Sequence, residues 1–130
     1  MGHKHTKISG APSQRQLRVG ELLREVLTDT FINAPIRDPF LANLNITITQ
    51  VLASRDLKQA KIFFVPFGRD STNSSQIIEA LDRATPFLRG QVAKRVKLRY
   101  APILKFELDR SLENASRIDA LLEKTSAKNE

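Results

Sequence analysis

The chain has no cysteine and no tryptophan, one tyrosine and two histidines in 130 residues. Without cysteine there is no disulfide framework and no thiolate metal site. The same absence suits a reducing compartment, so a cytoplasmic location is expected. His3 and His5 are the only histidines; two imidazoles alone are an incomplete ligand set, and no metal and no cofactor is expected. Asp56, Asp70, Asp82 and Asp109 are scattered, without the paired spacing that acid–base chemistry uses. There is no Walker loop, no GxSxG elbow and no HExxH motif. The reading is a binding protein with no catalytic residues, not an enzyme. Long apolar runs are missing as well, and none approaches a membrane span. Met1 to Ser13 is basic and acid-free and lacks the apolar stretch of a signal peptide. Residues 1–12 therefore read as a flexible arm. With tryptophan absent and Tyr100 alone, base stacking on exposed aromatics is poorly provided for. Phe63, Phe64, Phe87 and Phe106 fall at buried-type spacing and read as core.

One stretch lacks acid altogether. Arg83 to Phe106 carries Arg83, Arg89, Lys94, Arg95, Lys97, Arg99 and Lys105, and no Asp or Glu. The whole chain has 21 basic and 14 acidic residues, so the remainder is balanced at 14 and 14. A localised positive field marks a surface for polyanions. Phe87, Leu88, Val92, Ala93 and Val96 recur within it at helical spacing, which gives one face to a core. Gln91, Lys94, Arg95 and Arg99 stand three and four apart and can share an exposed face.

Along the chain, Ser13 with Gln16 makes a capping-box pattern that opens a helix. Val19, Leu22, Leu23, Val26 and Leu27 form its apolar stripe, with Arg15, Arg18 and Arg24 off it. Pro35 and Pro39 mark a loop over 33–43. A strand begins near Asn45, and the phase change between Ile48 and Val51 calls for a bulge near Gln50. Ser54 to Lys58 is a turn, ordered by Asp56, and Gln59 to Phe67 is the returning strand of an antiparallel hairpin. Pro66 belongs near a strand end or on an edge. Ser74 or Ser75 caps a second helix. Pro86 has no amide hydrogen for the carbonyl of Asp82, which predicts a kink or break at Ala84-Thr85-Pro86 and a further helix from Phe87 to about Leu98. Gly90 weakens that helix but permits close backbone approach. Leu104, Phe106 and Leu108 alternate with charged residues as a third strand. Ser111 caps a last helix bearing Leu112, Ala115, Ile118, Leu121 and Leu122. Residues 124–130 are a polar, disordered tail.

The expected fold is α+β, a three-stranded sheet packed by helices, in the order α-β-β-α(kink)α-β-α over one domain at 13–123. That is the layout of the bacterial, type II KH-like domain. Ordinary KH modules clamp nucleic acid with a GxxG loop. Here Gly2, Gly10, Gly20, Gly68 and Gly90 include no two that are three apart.

RQLRVGELLREVL (Arg15–Leu27), SRDLKQAKIFF (Ser54–Phe64), LDRATPFLRGQVAKRVKLRYAPILKFELDRS (Leu81–Ser111) and RIDALL (Arg117–Leu122) together resemble the ribosome-binding factor A family. The FLRG…LRYAPILKFELDRS part is the specific one. The resemblance implies a KH-like fold in which a helix–kink–helix replaces the GxxG turn. The family's Ala-x-Gly kink is matched by Ala84 and Thr85, with Pro86 in place of glycine. It also implies a monomeric factor that binds free small (30S) ribosomal subunits through 16S rRNA. Such a factor assists late assembly and 5′-end processing of that RNA, and supports growth in the cold. Phosphate contacts are expected from Arg83, Arg89, Lys94, Arg95, Lys97 and Arg99, with Arg15 and Arg18 in addition. The alternative is a KH-like module for single-stranded RNA outside the ribosome. No membrane partner is expected: Pro86 and charges within the helical pattern make a poor lipid-inserting face.

Overall fold

A computed structural model describes residues 11–34, 36–68 and 73–111. Helix α1 spans Gln14–Asn33. Strands β1 (Leu44–Ala53) and β2 (Gln59–Gly68) follow, then helix α2 (Ser74–Arg95) and strand β3 (Ile103–Leu108). This is the expected KH-like α+β layering. The C-terminal helix expected from Ser111 lies outside the described residues, as do most of the arm and the tail.

The start of α1 follows from its capping box. Ser13 Oγ accepts from the Gln16 amide at 3.1 Å, and Gln16 Oε1 accepts from the Ser13 amide at 2.9 Å. Gln16 Nε2 also donates to the carbonyl of Ala53, which ties the helix start to the end of β1. Val19, Leu23, Val26 and Leu27 are buried, whereas Leu22, expected on the same stripe, is exposed. Full burial of Leu23 or Leu27 is worth roughly 1.5–3 kcal/mol.

The sheet order is β1-β2-β3, with β1–β2 antiparallel and β2–β3 parallel. The register shifts between Ile48 and Gln50. That bulge re-phases the strand, so Ile48, Val51 and Ala53 all reach the core. Pro66 lies beyond the stretch of β2 that pairs with β3, which ends at Phe64; its missing donor costs that ladder nothing. The hairpin turn is tightly made. Leu57 N donates to Ser54 O, Lys58 N to Asp56 Oδ1, and Gln59 N to Ser54 Oγ. Leu57 takes φ 61°, a left-handed conformation unusual for a leucine, while its side chain is buried.

Both helices pack on the sheet and on each other, over a core that includes Leu23, Ile62, Phe64, Ile77, Leu81 and Phe106. Phe64 and Phe106 meet edge to face, with ring centroids 6.3 Å apart. On the other face of the sheet, Lys61, Lys105 and Glu107 are exposed.

Several expectations for α2 are corrected. Asn73, not Ser74 or Ser75, occupies the N-cap. One helix runs through Pro86, instead of two helices meeting there. Pro86 and Asp82 are both exposed, so water can reach the carbonyl that proline leaves unpaired. Leu81, Ala84 and Leu88 are buried on the opposite side and hold both halves to one core. Thr85 Oγ1 donates back to Leu81 O at 3.0 Å. The helix stops at Arg95, with Val96 extended, instead of continuing to Leu98. Phe87 and Ala93 are exposed, not core. Gly90 faces open space, so it permits no close approach.

Candidate nucleic-acid interface

The basic stretch is distributed over three settings. Its first part lies on α2. The helix ends with Lys94 and Arg95 in the last turn, where positive charge offsets the negative end of the helix dipole. The chain then leaves the helix, and Lys97, Arg99 and Tyr100 stand exposed on the loop to β3. Lys105 is on the wet face of the sheet, away from the helices.

Three of the cations are already engaged within the protein. Arg83 pairs with Asp38, Nε to Oδ2 at 2.9 Å and Nη2 to Oδ1 at 3.3 Å. The Asp38 side chain is only 10% exposed and that of Arg83 is 58% exposed. The hydrogen bond from Arg83 holds the Asp38 carboxyl below its usual range, helped by the amide of Phe40, while burial opposes. Arg95 pairs with Asp29 at 2.6 Å, and that hydrogen bond, with one from Asn33, lowers Asp29. Arg89 turns inward. Its Nε donates to the carbonyl of Pro102 at 3.0 Å and its Nη2 to that of Ala101 at 2.8 Å. Arg89 thus fixes the loop into β3, a job for a planar fork of donors. Arg24 pairs with Glu21 at 3.0 Å.

Lys94, Lys97, Arg99, Arg15 and Arg18 are exposed. Arg15 and Arg99, far apart in sequence, line one cavity of about 370 Å³ with Asp56, Lys58 and Tyr100. Lys58 was not singled out by sequence, because nothing in a hairpin turn marks its lysine as converging on a distant loop. A second cavity of about 470 Å³ lies beside Arg83, Ala84 and Phe87 and includes Arg37, also unremarked in sequence. Among the described residues no cluster of three or more metal-ligating side chains occurs. No helix among them is long and apolar enough to cross a membrane.

The family model described as ribosome-binding factor A matches residues 15–122. The chain belongs to the ribosome-binding factor A family. A ribosome-binding factor A from Beijerinckia indica is 45% identical over 122 residues, covering 94% of this chain and 85% of that protein. Among solved structures, the crystal structure of ribosome-binding factor A from Thermus thermophilus matches with a TM-score of 0.60 at 26% identity. That match covers 74% of this chain and 98% of the Thermus chain. A Thermus thermophilus model fitted into the cryo-electron microscopy map of a 30S–ribosome-binding factor A complex matches with a TM-score of 0.53 at 25% identity. It covers 68% of this chain and 89% of the other. Family membership agrees with a KH-like fold that has no GxxG loop.

Proposed function

We propose that this protein is a non-catalytic, cytoplasmic maturation factor that binds free small ribosomal subunits through their 16S rRNA. It acts late in assembly, assists 5′-end processing of the rRNA and supports growth in the cold. It works as a monomer, with one KH-like domain over residues 13–123 between an arm at 1–12 and a tail at 124–130. The observation that carries the reading is an exposed cationic surface on a family-typical fold. Its exposed cations are Arg15 and Arg18 at the start of α1 and Lys94, Lys97 and Arg99 at the end of α2 and beyond, with Arg15 and Arg99 lining one cavity. The fitted 30S complex of the Thermus relative supports the choice of subunit. Arg83 and Arg95 reach RNA only by dividing their guanidinium donors between phosphate and Asp38 or Asp29, and Arg89 contributes mainly by holding the loop. Ala84, Thr85 and Pro86, inside α2, stand where the family places its kink.

Sedimentation with separated small subunits, large subunits and full ribosomes, at low and high salt, tests this. Salt-sensitive binding to free small subunits alone is expected. Equal association with all fractions, or with none, refutes it. Equally tight binding to short single-stranded oligonucleotides favours the free-RNA module instead.

A further inference from the structure

We propose that the cavity between the hairpin turn and the α2–β3 loop is a pocket for one unpaired nucleotide, with Tyr100 stacking its base and Arg15, Lys58 and Arg99 holding its phosphates. This deepens the rRNA-binding reading and rests on it.

Three observations carry the inference. The first is convergence. Arg15 comes from the start of α1, Lys58 from the β1–β2 turn, and Arg99 and Tyr100 from the loop before β3. Three cations face one carboxylate, Asp56, whose Oδ1 is committed to Ser54 Oγ at 2.8 Å and the Lys58 amide at 3.0 Å. A local excess of positive charge remains for phosphate. The second is an aromatic surface. Tyr100 is 57% exposed, so its ring is open to a ligand. The Arg99 guanidinium lies over the ring, 5.7 Å from its centroid, a cation–π contact that sets a positive charge beside the aromatic surface. Leu57 and Leu98 add an apolar component to the lining. A volume of about 370 Å³ falls within the range of small-ligand clefts. This chemistry, an aromatic face beside several phosphate donors, recognises an unstacked base on its backbone.

The third observation is that the walls are fixed before any ligand arrives. The loop is pinned by Arg89 on one side, through Ala101 and Pro102, and by the Ile103 amide donating to Lys58 O at 2.9 Å on the other. The turn is pinned by its own hydrogen bonds and by Leu57, the one described non-glycine residue with positive φ. Pre-set walls cut the entropy lost on binding. Backbone held in a sparsely populated conformation is a recurrent mark of a ligand clamp.

The sole tyrosine, with no tryptophan, makes the site directly readable. Full-length protein is titrated with protein-free small-subunit rRNA, which contributes no tyrosine emission, and affinity is measured separately by filter retention. Binding should quench Tyr100. Tyr100→Ala should weaken affinity about tenfold, as expected for loss of one stacked base. Tyr100→Phe, which keeps the ring, should stay close to wild type. Circular dichroism and thermal melting confirm that the variants are folded. Wild-type binding with no quenching and undiminished Tyr100→Ala affinity overturns the pocket and leaves the rRNA reading intact. No wild-type binding to the RNA overturns both. Quenching by anionic vesicles but not by RNA overturns the pocket in favour of a lipid headgroup.

Discussion

Gly20 lays its backbone against the carbonyl oxygen of Val51: a Cβ placed on Gly20 would stand 2.6 Å from that oxygen. The two residues set the spacing between α1 and β1, because neither backbone can yield without moving its whole element. Gly20→Ala must therefore push the helix off the edge of the sheet. A loss of about 1–3 kcal/mol is expected, the usual cost of overpacking. Gly90→Ala is the contrasting case. Gly90 sits in α2 with nothing near its absent side chain, so alanine gains helix propensity and should stabilise by about 0.5–1 kcal/mol. Urea unfolding of both variants checks the opposite signs.

Arg89→Met should act on the fold before it acts on RNA. It removes the donors that satisfy the Ala101 and Pro102 carbonyls, at a cost of about 1–3 kcal/mol. The measured signature is a lower unfolding midpoint, with a salt slope of RNA binding close to wild type. A loss of RNA affinity with unchanged stability would assign Arg89 to phosphate instead.

Lys94→Gln with Lys97→Gln should show the reverse pattern. Both residues are exposed, so the melting temperature should hold. Small-subunit binding should weaken, and the slope of log affinity against log salt should fall by about two. Unchanged binding by a folded double variant would move the interface elsewhere.

Acid should loosen the molecule for identifiable reasons. Asp29, Asp38, Asp56 and Asp109 all lie below their ordinary values in the fold. For Asp109 the largest cause is the hydrogen bond from Ser111, followed by that from Thr49. A carboxylate depressed by folding stabilises the protein above its unfolded pKa, near 4, and loses that contribution as pH falls through the folded value. Melting temperature should be level above about pH 5 and decline below about pH 4. Asp38→Asn should melt lower than wild type at neutral pH and converge with it in acid. A constant gap across the range would show that the Arg83 pair does not supply the effect.

The sequence alone determined what depends on near neighbours. The capping box of Ser13 and Gln16, the bulge re-phasing β1, the Asp56 turn and the alternation of β3 are set within a few residues, and each was legible. So was the concentration of charge, because composition needs no fold. The tertiary structure decided what depends on distance between remote segments. Arg83 is tied to Asp38, 45 residues away, and Arg95 to Asp29, 66 away. No local pattern separates such cations from exposed Lys94 or Lys97. Phe87 matched the helical period of buried residues, yet the orientation of α2 on the sheet put Leu88 inside and Phe87 out. Pro86 met its steric rule, but burial on both sides of it kept one helix. The convergence of Arg15, Lys58 and Tyr100 exists only once β3 lies parallel to β2 and brings its entering loop beside the hairpin turn.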